Sequence, residues 1–175
     1  GIDGPRYRRR KTMALTLPQL RNSASSKQRL YGSNGHPGLN RMVGRNMPDE
    51  FDPDEISWVR PRIGITDWEG ACEAIALNHY VITVAPEIDI GSDEILGLEP
   101  YGLNFNAMLN RISERINEVL DHTDRSVVLH CAMGMERAPL AVVWYLHRTE
   151  GMSVKDAYED VIKARPIVCH REMWL

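Results

Sequence analysis

Residues 127–139 read VVLHCAMGMERAP. Val127, Val128 and Leu129 form the unbroken apolar run expected of a strand buried on both faces of a parallel sheet. Cys131 and Arg137 follow with five residues between them, and a helix-forming run begins at Pro139. A chain that leaves a strand and turns directly into a helix points successive backbone N–H groups inward. The helix dipole adds to their field, so such a loop is a cradle for an anion. Gly134 permits the tight path. Arg137 offers a planar fork that grips two anion oxygens. A cysteine at the base of this field has its thiolate stabilised by the amides, the dipole and the guanidinium. The result is a nucleophile beneath a tetrahedral anion, a device for attacking phosphorus.

Outward from this segment, strands and helices alternate. Ile56–Val59 and Arg62–Ile65 read as two short strands broken at Pro61. Asp67 is placed to cap a helix over about 68–78, with Ala71, Ile75 and Ala76 on one face. Tyr80–Val84 is a third strand, and residues 85–103 read as loop. Asn104 is the expected cap of a helix to about His122, in which Phe105, Met108, Leu109, Ile112, Ile116, Val119 and Leu120 keep helical spacing. After the strand at 126–130 come a helix over Pro139–Thr149 closed by Gly151, and a last helix opened by Ser153 with Asp156 and stopped by Pro166. This order predicts an α/β fold with a central, largely parallel sheet of about four to five strands flanked by helices. Ligands in such folds bind at the carboxyl ends of strands, where Cys131 lies.

Charge divides the chain of 175 residues in two. Residues 1–48 hold ten Lys or Arg and one acid, and the remainder holds eleven and twenty-three, giving +9 and −12 within the net −3. Residues 1–50 are rich in Arg, Ser, Asn and Gly and have no sustained period, so they read as a basic arm or linker ahead of a domain at 51–175. Such an arm suits an acidic partner or nucleic acid, or lies as a solvated tail over the acidic domain. Three cysteines without framework spacing point to a reducing compartment, hence cytoplasmic, or nuclear in a eukaryote. No apolar run is long enough to span a bilayer, and no signal peptide is visible.

The segment His130-Cys131…Gly134…Arg137 resembles the H-C-x-x-G-x-x-R signature of the cysteine-dependent protein phosphatases, in the dual-specificity branch. The likeness extends more weakly over about 56–168 and leaves residues 1–50 outside it. The resemblance implies that Cys131 forms a phosphocysteine intermediate on phosphotyrosine, and on phosphoserine or phosphothreonine, in proteins. It implies that Arg137 and the amides of Ala132, Met133, Gly134, Met135, Glu136 and Arg137 hold the phosphate, that His130 orients the loop, and that no cofactor is needed. The chain departs from the family pattern at Ala138, where a hydroxyl residue usually aids the thiolate, so slower breakdown of the intermediate is expected. The general acid, usually an Asp, is here expected at Glu99, thirty-two residues before Cys131. Asp93 and Glu94 are rivals on the same loop, and geometry must decide between them.

Glu136 beside the cradle opposes highly anionic substrates, which favours a phosphorylated side chain over a 5′-triphosphate of RNA. RNA 5′-phosphatase action with the basic arm, and phosphate binding with little turnover, are the alternatives. Met133 and Met135 either line the mouth or pack within the loop. Trp58, Trp68, Trp144 and Cys72 are expected in or near the core, and Arg165 in an ion pair beneath the loop. Cys169-His170 with Cys72 lacks zinc-ligand spacing, so no metal site is expected.

Overall fold

A computed structural model describes residues 51–175, and the basic arm lies outside the described residues. Five strands form one mixed sheet: β1 (Ser57–Arg60), β2 (Ile63–Thr66), β3 (Tyr80–Thr83), β4 (Glu94–Ile95) and β5 (Val127–His130). Four helices flank it: α1 (Trp68–Ala76), α2 (Phe105–His122), α3 (Arg137–Glu150) and α4 (Val154–Ala164). The strand order is β1-β2-β5-β3-β4, antiparallel between β1 and β2 and parallel elsewhere. The crossover from β2 to β3 passes over β5 in one direction, and the return to β5 runs in the other. Right-handed connections therefore put α1 and α2 on opposite faces of the sheet. β5 is covered on both faces, and all four of its residues are buried, which explains its continuous apolar run.

Local signals hold where the partner is near in sequence. The Asp67 side chain accepts a hydrogen bond from the Gly70 N–H at 2.8 Å, and Ser153 accepts one from Asp156 at 3.0 Å. Gly151 closes α3 in the left-handed region at φ 71°. Asn104 precedes α2, but its side chain makes no capping bond. At φ −102° and ψ 14° it lacks the extended backbone that aims a cap side chain at the first turn. Ala76 is exposed, and α1 instead buries Trp68, Ala71 and Ala74.

Residues 85–103 are not wholly loop, because β4 pairs with β3 there, Ile82 opposite Glu94 and Thr83 opposite Ile95. Two residues are too short a run to show a period. Trp58 is also displaced from expectation. It stands on the edge strand β1, 41% exposed, edge-on to His79, over the space left by the missing side chain of Gly64. Trp68 is buried, while Trp144 and Cys72 are half-buried against the core.

Register fixes where the site forms. Thr66 of β2 and Thr83 of β3 both sit opposite His130 of β5. Three parallel strands therefore end at one rim, and the residues that follow, Asp67, Val84 and Cys131, leave the sheet together. Among the described residues, no helix is long and apolar enough to cross a membrane.

Candidate active site

Residues 131–136 link β5 to α3, and α3 begins at Arg137, two residues earlier than Pro139 would suggest. Arg137 thus belongs to the first helical turn and is anchored by the helix it opens. The loop's carbonyls all find partners on the outside. The oxygen of Cys131 lies 3.0 Å from Nδ1 of His130. That of Ala132 accepts from the Trp68 N–H at 3.2 Å. Those of Met133 and Gly134 accept from Nη2 and Nε of Arg165 at 3.0 and 2.7 Å. That of Met135 accepts from the Cys169 N–H at 2.8 Å. In a planar trans peptide the N–H points opposite to the C=O. Five successive outward carbonyls therefore turn the N–H groups of residues 132–136 to the other side, into one bowl. No backbone acceptor among the described residues meets these amides. Cys131 lies at the base, buried at 3% exposure.

Gly134 makes this path accessible. Its φ is 68°, and a Cβ there would stand 2.7 Å from both Nη2 of Arg165 and the carbonyl oxygen of Thr66. Arg165 is fully buried and serves as the scaffold beneath the loop. Its contacts with the loop carbonyls are joined by Ser57 Oγ at 3.0 Å and the Pro53 oxygen at 3.0 Å. A forked cation suits this task because it satisfies several carbonyls at once.

Arg137 has a partner that the sequence did not reveal. Glu87, on the loop after β3, receives Nη1 at 2.8 Å and Nη2 at 2.5 Å. This end-on grip leaves Nε–H and the outer Nη protons for an oxyanion. Burial works most strongly against the charge of both groups, but their mutual hydrogen bonds and charge attraction, with smaller local contributions, together outweigh it. Glu87 is held below the usual carboxylate range, and Arg137 is raised. The nearby sulfur of Cys131 adds to the field that favours the Arg137 cation.

The rivals for the general acid are separated by their contacts. Asp93 accepts from the Val81 N–H at 2.8 Å and pairs with Arg125 at 3.3 Å. Glu94 bonds the Tyr80 hydroxyl at 2.9 Å and Arg115 at 2.6 Å. Both are fastened to the sheet edge. Glu99 is exposed on the loop leading into α2, with its backbone oxygen closing a turn onto the Gly102 N–H at 2.9 Å. Of the two methionines, Met135 is packed down against Ile167 and Cys169, away from the mouth, while Met133 is half-buried. Glu136 does not present a bare negative charge: Nε of Arg171 lies 2.9 Å from its carboxylate. The pair offsets part of the repulsion expected of an acid beside the cradle.

Residues 90–175 match the description "Dual specificity phosphatase, catalytic domain". Over these residues the chain is similar to the dual-specificity phosphatases. The match begins after β3, so β1 to β3 lie outside it. Solved structures share the whole architecture. Human DUSP28 is 17% identical, with a TM-score of 0.58 over 71% of this chain and 88% of that one. The human tyrosine phosphatase-like serine/threonine/tyrosine-interacting protein is 17% identical, with a TM-score of 0.59 over 69% and 91%. A leucine rich repeat and phosphatase domain containing protein from Entamoeba histolytica is 13% identical, with a TM-score of 0.57 over 70% and 86%. At these identities the likeness shows a shared fold.

Proposed function

We propose that this domain hydrolyses phosphotyrosine in proteins, with phosphoserine and phosphothreonine as further substrates, through a phosphocysteine intermediate. The observation that carries the reading is the outward turn of five consecutive loop carbonyls above a buried cysteine. The thiolate of Cys131 attacks phosphorus, an S–P bond forms, and the P–O ester bond breaks. Glu99 delivers its proton to the leaving oxygen. Glu99 then takes a proton from water as that water attacks phosphorus, and the thiolate and inorganic phosphate are released. The inward amides and Arg137 stabilise the charge on the transferring phosphoryl group in both steps.

Support for Glu99 comes from its freedom, since Asp93 and Glu94 spend their charge on the sheet edge. Glu99→Gln should lower turnover of a phosphotyrosine peptide by about 10²-fold and erase the alkaline limb of the pH profile. An aryl phosphate with a good leaving group should suffer less. Equal turnover by the Gln variant on the peptide would remove Glu99 from the mechanism. An RNA 5′-triphosphate assayed beside the peptide tests the substrate class: faster hydrolysis of the RNA would overturn the protein reading.

Ala138 is fully buried in the first turn of α3, so no hydroxyl assists the sulfur from that position. Release of the phosphocysteine should therefore limit the rate. Ala138→Ser should raise steady-state turnover about fivefold, the worth of one neutral hydrogen bond, and shrink any pre-steady-state burst. A slower Ser variant would contradict this account.

A further inference from the structure

The ring of His130 is fully buried and lies between the strand ends. Its Nδ1 stands 3.0 Å from the carbonyl oxygen of Cys131, and its Nε2 stands 2.7 Å from Oγ1 of Thr83. Thr83 Oγ1 is in turn 2.7 Å from Oγ of Ser92, which begins the approach to β4. A carbonyl oxygen can only accept, so Nδ1 must carry a proton. Burial pushes the ring's pKa down to about 4, so near neutral pH the imidazole holds one proton and Nε2 is a bare acceptor. Thr83 must then donate to Nε2, and its oxygen is left to accept from the Ser92 hydroxyl. Ser92 also lies 3.1 Å from the Glu94 carbonyl, but the Thr83 contact is the shorter and satisfies both ring nitrogens.

We propose that Thr83 and Ser92 are positioning residues for Cys131, forming with His130 a one-way chain of hydrogen bonds that fixes the first peptide of the cradle. The donor at Nε2 selects the ring tautomer. The tautomer places N–H, and not a lone pair, against the Cys131 carbonyl. That bond pins the carbonyl outward, which holds the Ala132 N–H inward toward the sulfur, and it polarises the same peptide so that its N–H is a stronger donor. Without Thr83, the tautomer with its proton on Nε2 competes, and two lone pairs then face each other across the 3.0 Å contact. The carbonyl swings, and the thiolate loses an amide. The chain also ties the loop bearing Glu87 and Glu99 to the phosphate loop through Ser92, so the acid-bearing and nucleophile-bearing segments share one anchor.

This inference rests on the reading of Cys131 as an ionised nucleophile, and its test separates the two. The rate of alkylation of Cys131 by iodoacetamide is followed against pH in the full chain, with the modified peptide quantified by mass spectrometry. No turnover is needed. Arg137 from α3, Glu87 from the loop after β3 and Asp67 from the start of α1 are the charged groups acting on His130, and all remain in every variant. Thr83→Val, which keeps shape and removes the hydroxyl, should raise the midpoint of the profile by about one pH unit and so slow alkylation about tenfold on its acid side. Ser92→Ala, at a half-buried loop position, should shift it in the same direction by less, and Thr83→Ser should restore the wild-type profile. Should Thr83→Val fail to fold, Ser92→Ala and Thr83→Ser carry the test. A low wild-type midpoint shared by folded Thr83→Val and Ser92→Ala would overturn the proposal alone. A wild-type midpoint at the ordinary thiol value of about 8.5 would overturn the functional reading and this proposal with it.

Discussion

Cys131→Ser is expected to abolish hydrolysis of an aryl phosphate, by about 10⁴-fold or more, while a phosphotyrosine peptide still binds. The reason lies in what the sulfur does and what it does not hold. A serine hydroxyl is far less acidic than a thiol and stays protonated, so attack on phosphorus is lost. The cradle itself does not lean on the sulfur. Its carbonyls are held by His130, the Trp68 amide, Arg165 and the Cys169 amide, and none of these contacts passes through the Cys131 side chain. Phosphate affinity should therefore survive the substitution, and removal of one negative charge beneath a dianion should favour it. Steady-state turnover of 4-nitrophenyl phosphate and calorimetric titration with the phosphopeptide measure the two halves. Wild-type turnover by the serine variant would end the nucleophile assignment, and loss of peptide binding with turnover would mean that the sulfur builds the loop.

What the sequence could reveal followed from how far each interaction reaches along the chain. The strand, loop and helix around Cys131 were legible because every signal sat within one stretch: an apolar run, a glycine at the sharp turn, an arginine at the helix mouth. Asp67, Gly151 and Ser153 were legible for the same reason, since a cap and its partner lie within a turn of each other. Glu87 was not, because it meets Arg137 from fifty residues away. The strand order that joins them could have exposed it. β3 and β5 are parallel neighbours with Thr83 opposite His130, so an acid just beyond the end of β3 must overhang the loop that follows β5. Arg165 was anticipated beneath the loop, but its hold on the loop carbonyls was not, for carbonyls carry no mark in a sequence. Trp58 misled because a large aromatic predicts burial only on average, and an edge strand has one face to give away.

Arg137→Lys should lower kcat/KM on a phosphotyrosine peptide by about 10³-fold, most of it in kcat. Charge is conserved in this change, so the loss would measure geometry. The guanidinium serves two masters at once: its end is held by both oxygens of Glu87, and its flank remains for two oxygens of the phosphoryl group. A lysine ammonium is a point charge that cannot divide itself this way. Near Glu87, whose carboxylate is held in its charged form, the ammonium would pair with the carboxylate and turn from the cradle. Ground-state binding should fall less, because the inward amides still meet the phosphate, whereas the transition state loses the fork that tracks its flattening oxygens. Thermal unfolding of the Lys variant within a few degrees of wild type would confirm that the loss is local, since the outward carbonyl anchors stay in place. Activity of Arg137→Lys within about threefold of wild type, against the 10²–10³-fold cost usual for such a group, would show that a positive charge alone suffices, and the Glu87 grip would then have no part in aiming it.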